Sequence, residues 1–213
     1  MNAERTILGS DGRPRCRWCA AAPELEAYHD REWGFPVADD TRLFEKLCLE
    51  SFQSGLSWRT ILSKRENFRR AFDGFDFHRV ARYGEADVQR LLQDAGIVRH
   101  RGKIEAAIHN ARCAVRLQDA YGSLAAYVWR HEPDRASRAE PQTVSVSPGA
   151  IALSRDLKKN GWKFFGPTTA YAFMQAMGLV NDHVPECAIA DEASEARRAF
   201  RVPSQDRRVG SRP

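Results

Sequence analysis

Asp40-Thr-Arg-Leu-Phe-Glu-Lys-Leu-Cys-Leu-Glu-Ser-Phe-Gln-Ser-Gly-Leu-Ser-Trp58 is the stretch on which the reading of this chain turns. Leu43, Phe44, Leu47 and Cys48 recur at helical spacing, and Asp39 or Asp40 can cap the helix they define. Glu50 falls seven positions after Leu43 and three after Leu47, on the apolar stripe. A carboxylate buried there is costly unless something pairs with it. The helix breaks at Gly55, and Leu56-Ser57-Trp58 puts an apolar pair at a turn. An inward acid beside a Trp suits a pocket for a flat molecule that carries hydrogen-bond donors or positive charge. The plainer alternative is a Glu50 that pairs with a core Arg or lies at the edge of the stripe.

The segments on either side read as helices too. Trp58, Ile61, Leu62, Phe68 and Phe72 mark one face of the next helix, with Ser57 as its N-cap and Gly74 beyond its end. Short helices follow Asp76 and Gly84, and Ile104, Ile108, Ala111 and Val115 run through the longest, over 97–120. Residues 131–146 read as an irregular crossover. Ser147-Pro148 then opens a helix as N-cap and first position, with Ile151, Leu153 and Leu157 as its buried stripe. No segment shows sustained strand alternation. The expectation is an all-α chain of roughly eight to ten helices. Residues 1–14 read as a flexible leader, 15–190 as one domain and 191–213 as a tail, in which D-E-A-S-E-A-R-R-A-F from Asp191 can form a last helical turn and the rest, from Arg201, is disordered because little of it can be buried.

Composition narrows the function. The chain has 213 residues, 43% of them hydrophobic, and a formal net charge of +5. A basic balance favours a polyanionic partner, although the Arg-rich tail supplies part of it. No apolar run approaches a membrane span and no signal-peptide core opens the chain, so no membrane partner and a cytoplasmic location are expected. In a reducing cytosol the five cysteines are thiols or metal ligands rather than disulfides.

Two constellations could carry chemistry outside the Glu50 stretch. The first is Leu157…Gly161-Trp-Lys163-Phe-Phe-Gly166-Pro-Thr168-Thr169, which has the form of a helix-hairpin-helix. Gly166 would let the backbone approach a phosphate, and the following helix N-terminus favours an anion. Lys163, Thr168 and Thr169 could add contacts; the alternative is an ordinary corner packed on its two Phe residues. The second is His183-Val-Pro-Glu-Cys187, whose His and Cys could form half of a tetrahedral zinc site. The other half would be Cys16 with His29, or Cys16 with Cys19. Against that stands a reading with buried thiols and surface histidines.

Four of the ten Trp and Tyr residues, Trp18, Tyr28, Trp33 and Trp58, fall in the first 58 positions, which suits a base-stacking pocket beside Glu50. The blocks R-C-x-W from Arg15, A-Y-H-D-x-E-W-G from Ala27, C-L-E-x-x-Q-x-G-L-S-W from Cys48, L-x-Q-D-A-G-I-V-R-H-R-G-K-I from Leu91 and G-L-V-N-D-H from Gly178 stand in one order. Together they resemble the bacterial 3-methyladenine DNA glycosylase I family of the helix-hairpin-helix superfamily, from Arg15 to about Cys187.

The resemblance implies a structural Zn2+ on Cys16, His29, His183 and Cys187. It implies that Glu50, the catalytic candidate, and Tyr28 hydrogen-bond the excised base, with Trp58 stacking on it and Trp18 and Trp33 walling the pocket. Asp182 is then structural, supporting His183; Cys19, which differs from the family pattern, is the spectator left over from five candidates for four ligand positions. The substrate would be double-stranded DNA with alkylated bases, the product free 3-methyladenine, and the enzyme a monomer. Leu56 at the Gly55 turn is the candidate wedge for the gap left by a flipped base. No Lys stands in the pocket blocks, which argues against a Schiff-base lyase. The competing reading is a zinc-stabilised helix-hairpin-helix DNA-binding module without catalysis, which has no use for an inward Glu50 ringed by aromatics.

Overall fold

In the computed structural model, residues 5–134 and 138–204 are described, and helices dominate them. A two-stranded antiparallel ribbon, β1 (Thr6–Leu8) and β2 (Pro14–Cys16), leads into a 3-10 turn over Arg17–Ala21. The helices are α1 (Pro23–Arg31), α2 (Asp40–Gln53), α3 (Trp58–Ala71), α4 (Phe77–Val80) and α5 (Glu85–Gln93). They continue with α6 (Arg101–Tyr121), α7 (Leu124–Trp129), α8 (Pro148–Lys159), α9 (Pro167–Ala176) and α10 (Ala190–Ala199).

The centre of the molecule is α2. Every residue from Leu43 to Phe52 is buried, so this helix has no solvent face over that span. It packs on α3, α6, α7 and α9, and its apolar side chains join one core with Phe68, Phe72, Phe75, Tyr127, Leu153 and Phe173. The two aspartates at its start divide their work. Asp39 caps α2, accepting from the Arg42 N–H at 2.7 Å. The Asp40 carboxylate instead accepts from the Leu124 and Ala125 N–H groups at 2.9 and 2.8 Å, and so ties the first turn of α7 to the central helix.

Two glycines let backbone and side chains meet closely. Gly34 has φ +86°, and a Cβ there would lie 2.7 Å from Cε1 of His183. Gly178 has φ +75°, and its Cβ would lie 2.5 Å from the Phe35 carbonyl carbon. Larger residues at either position would therefore push the C-terminal segment away from the loop after α1.

Three expectations need correction. The chain is mostly helical, but the ribbon means it is not all-α. Its strands are three residues each, too short to show alternation. Residues 5–14, read as part of a loose leader, are held in place because Arg15 is buried and pairs with Asp11 at 2.7 Å and with Asp30 at 2.9 Å. In α8, Ile151 is 40% exposed while Ala150, Leu153 and Leu157 are buried, so the stripe starts one residue earlier than read. At the other end, the helical turn expected beyond Ala190 is α10, with Ala193 buried and Arg197 paired to Glu132. The expectation of disorder for residues 205–213 lies outside the described residues, as does residues 1–4 of the leader.

Candidate active site and metal cluster

Helix α2 delivers Glu50 to a cavity of about 230 Å3 lined by Trp18, Tyr28, Trp33, Lys46, Glu50, Gln53, Trp58, Gln142, Ala172 and Gln175. All five residues expected to form a base pocket are in this wall. Tyr28 comes from α1, and Trp18 from the 3-10 turn before it. Trp33 follows α1 and Trp58 opens α3. The aromatic rings form a connected wall: Trp18 meets Tyr28 and Trp33 edge-on at 6.4 and 5.0 Å between centroids, and Tyr28 lies 5.2 Å from Trp58. Glu50 is 5% exposed. The indole N–H groups of Trp18 and Trp58 are buried and have no hydrogen-bond partner among the described residues.

The Glu50 carboxylate is paired, and its partner is Lys46 one turn earlier on the same helix, at 2.8 Å. The Lys46 ammonium also donates to the Tyr28 hydroxyl at 2.7 Å and lies 3.3 Å from the centroid of the Trp58 ring. Burial pushes the Lys46 pKa down, and Glu50 opposes the shift. Burial, reinforced by the Glu50 charge, pushes the Tyr28 pKa well up, so its phenol keeps its proton. Lys46, two residues before the block that begins at Cys48, thus lines the pocket although that block itself carries no Lys. The sequence did carry the signal, a Lys–Glu pair at i, i+4 on a buried helix. Gln53 follows Glu50 on α2, whereas Gln142 and Gln175 arrive from the irregular crossover and from α9 without any sequence signal.

The lip of the pocket is built by turns. Gly55 has φ +82°, Leu56 is 42% exposed, and Lys103 on α6 holds this turn by donating to the carbonyls of Phe52 and Ser54 at 3.0 and 2.6 Å. The turn between α8 and α9 is fixed by Asn110, whose amide both donates to and accepts from the Lys163 backbone at 2.9 Å. Lys163, Gly166 and Thr168 are exposed and Thr169 is half-buried. Gly166 precedes α9, no side chain caps that helix, and a Cβ at Gly166 would meet nothing within 4 Å. The same helix lines the pocket with Ala172 and Gln175, so the exposed N-terminus and the cavity share one rigid element. The two Phe residues of the turn part company: Phe165 is buried and Phe164 is 49% exposed, with φ +54°. The turn is thus only half packed.

A buried cluster lies behind the aromatic wall. Ligand atoms of Cys16, His29 and Cys187 lie within 4.8 Å of one another. Cys16 ends β2, His29 stands on α1, and Cys187 belongs to the segment before α10. The His29 Nε2 is 3.5 Å from the Cys187 sulfur, while its Nδ1 is held by Asp30 at 2.7 Å. Burial would raise the Asp30 pKa, but Arg15 and His29 outweigh it and keep this carboxylate ionised. A hydrogen bond between the two sulfurs pushes Cys187 well below the usual thiol range and Cys16 well above it.

His183 stands against the same group, its ring 4.8 Å from that of His29. Its Nδ1 is held by Asn181 at 2.8 Å, and its Nε2 is buried without a partner among the described residues. Burial, helped by His29, pushes its pKa down to about 4, so the ring is neutral near pH 7 and its lone pair is free. Cys16, His29 and Cys187 thus make a donor set that could hold a metal ion, and His183 stands beside it with one orphaned ring nitrogen, both histidines being oriented through their other nitrogen. Cys19 is buried away from the cluster, packed with Ala22 and Leu25. Support for His183 comes from Asn181 rather than from Asp182. The Asp182 carboxylate accepts from Tyr171 at 3.3 Å and from Gln175 at 2.5 Å, and so steadies a residue of the pocket.

Comparison with known proteins follows the same lines. Residues 18–190 match the model of the family described as methyladenine glycosylase. The chain is 49% identical over 177 residues to DNA-3-methyladenine glycosylase 1 of Escherichia coli strain K12, covering 81% of this chain and 95% of that protein. It is 42% identical to the DNA-3-methyladenine glycosylase of Haemophilus influenzae, covering 81% of this chain and 96% of that one. A crystal structure of 3-methyladenine DNA glycosylase I superposes with a TM-score of 0.77 at 47% identity, over 82% of this chain and 98% of that one. The enzyme of the same name from Staphylococcus aureus, whose structure addresses 3-methyladenine recognition, superposes with a TM-score of 0.78 at 36% identity, over 83% and 96%. With a family match across most of its length and relatives this similar over nearly their whole chains, the protein belongs to the methyladenine glycosylase family.

Proposed function

We propose that the protein is a DNA repair glycosylase that removes 3-methyladenine from alkylated double-stranded DNA, flipping the damaged nucleotide into the Glu50 pocket and hydrolysing its N-glycosidic bond. The observation that carries this reading is a carboxylate 5% exposed at the wall of a cavity bounded by four large aromatic rings. The relatives bear the same activity in their names.

Methylation at N3 puts a positive charge on the attached adenine and weakens its bond to the sugar, so the leaving group is already activated. What remains for the protein is to extrude, recognise and hold the base while water completes the hydrolysis. Glu50 accepts from the exocyclic amino group and opposes the cation in a dry site. A charge-assisted contact of this kind contributes about 1.5–3 kcal/mol, roughly one to two decades of preference. The Tyr28 phenol, protonated, hydrogen-bonds the base, Trp58 stacks on it, and Trp18 and Trp33 close the sides. Leu56 fills the space that the flipped base leaves in the duplex.

The α8–α9 turn is read as a helix-hairpin-helix. Gly166, Thr168 and Thr169 present backbone N–H groups and the positive end of α9 to a phosphate, with Lys163 alongside. Such contacts position the duplex and read no sequence. The enzyme is read as monofunctional, since the Lys46 side chain lies beside a carboxylate that keeps it an ammonium and not the free amine a Schiff base needs.

Cys16, His29, His183 and Cys187 are read as the ligands of a structural Zn2+. When bound, the ion cross-links β2 and α1 to the segment before α10 and takes no part in hydrolysis. Residues 15–190 form the glycosylase domain in this reading, and one chain completes the pocket, so a monomer suffices. None of the described helices is long and apolar enough to cross a membrane, which fits work on DNA in the cytoplasm. Chromatography of bases released from a methylated duplex tests the proposal. It predicts 3-methyladenine in the released fraction; a fraction without it, from active folded protein on the same DNA, contradicts it.

A further inference from the structure

Lys46 is the charged pocket residue for which the proposed reaction has no use. A cationic base is expected to lie on Trp58 and against Glu50, and the Lys46 ammonium already stands at both. It is 3.3 Å from the Trp58 centroid, 2.8 Å from Glu50 and 2.7 Å from the Tyr28 hydroxyl. No other described Lys or Arg lies over the Trp58 ring.

We propose that Lys46 is the resident cation of the base pocket, holding the Trp58 face and the Glu50 carboxylate in the free protein and giving up both when a positively charged base arrives. This inference rests on the assignment of the cavity to an alkylated base.

Three features favour an exchange over a fixed core ion pair. The first is chemical match. An ammonium over an indole face and beside a carboxylate makes the same two contacts, cation–π and ion pair, that a methylated adeninium ring would make. The second is a place to go. Lys46 lies in the walls of two adjoining cavities that also share Tyr28 and Trp58. The second, of about 20 Å3, is lined by Glu32 and Glu45 together with Arg42, Arg65 and Arg69, Glu32 pairing with Arg65 at 2.7 Å and Glu45 with Arg69 at 2.9 Å. A flexible side chain of four methylenes can turn from one cavity to the other on a fixed helix. The third is the energetics of a buried acid. A carboxylate left dry and unpaired is strongly destabilising, so the free enzyme needs a cation beside Glu50. Exchanging one cation for another keeps that carboxylate paired throughout. A base without charge displaces the ammonium and offers nothing in return.

Two measurements test this. The probe is 3,9-dimethyladeninium, in which a methyl replaces the sugar and fixes the positive charge. In the wild-type protein without ligand, NMR should show the Lys46 ε-methylene protons shifted upfield by the Trp58 ring, and saturation with the probe should return them to the ordinary lysine position. In the variant Lys46→Met, which has no cation to displace, the probe should bind about tenfold tighter than to wild type, by tryptophan fluorescence. Lys46 protons that are unshifted, or that stay on Trp58 in the saturated complex, overturn the inference. So does equal or weaker binding by a folded Lys46→Met protein. Failure of wild type and variant alike to bind the probe would sink the pocket assignment itself, which separates that failure from failure of the exchange.

Discussion

The His29 ring nitrogen stands 3.5 Å from the Cys187 sulfur, although 158 positions of chain lie between the two residues. Neither end of the chain has much core of its own there: the ribbon is short, and Ala193 is the buried residue of α10. A link at this point closes most of the chain into one loop, and its loss would be felt as chain entropy. Removing the metal with a strong chelator, or the ligand with Cys187→Ser, is expected to lower stability by roughly 3 kcal/mol and Tm by about 10 °C. Calorimetry and elemental analysis check this together. About one zinc per wild-type chain is expected, and a metal-free protein of unchanged Tm would remove the ligand set.

Gly166 sits before α9 with φ −85°, a backbone conformation open to any residue, and nothing lies within 4 Å of the place its Cβ would take. The fold does not require glycine there, so a requirement would have to come from a partner. Gly166→Val is expected to keep Tm within a degree or two while weakening binding to duplex DNA about tenfold, with or without a lesion. Fluorescence anisotropy with undamaged duplex measures it. Binding equal to wild type would dismiss the turn as a phosphate contact.

Much of the fold was legible because helix punctuation is local. Ser57 caps α3 and Ser147 caps α8 as their side chains and positions suggest, accepting from the N–H of Thr60 and of Ala150. Asp39 and Asp40 were indistinguishable in the sequence, since what separates them is the docking of α7 from more than eighty positions away. The aromatic members of the pocket could be read together because they are crowded into the first part of the chain around one inward acid. Lys46 is legible only from its spacing to Glu50, one turn earlier on the same buried helix. Gln142 and Gln175 could not be read at all. The first sits in irregular backbone with φ +58°, and the second reaches the cavity only because α9 crosses α2. The ribbon was missed for want of length, its order coming from Arg15 bridging Asp11 and Asp30.

Leu56 is exposed at the tip of a turn braced by Lys103, and its side chain is not part of the core. Truncation should therefore cost the fold within about 0.5 kcal/mol. If it occupies the gap in the duplex, Leu56→Ala should lower kcat/KM on alkylated duplex about tenfold and leave affinity for free 3-methyladenine as in wild type. Equal losses on duplex and on the free base would place Leu56 in the pocket instead of at the stack.

The account stands or falls on the Glu50 carboxylate, and single-turnover release of 3-methyladenine by Glu50→Gln measures it most directly. The substitution keeps the shape and one acceptor but removes the negative charge, so excision should slow by about tenfold to a hundredfold in a protein with wild-type circular dichroism. A folded Glu50→Gln enzyme that releases 3-methyladenine at the wild-type rate would contradict the central claim.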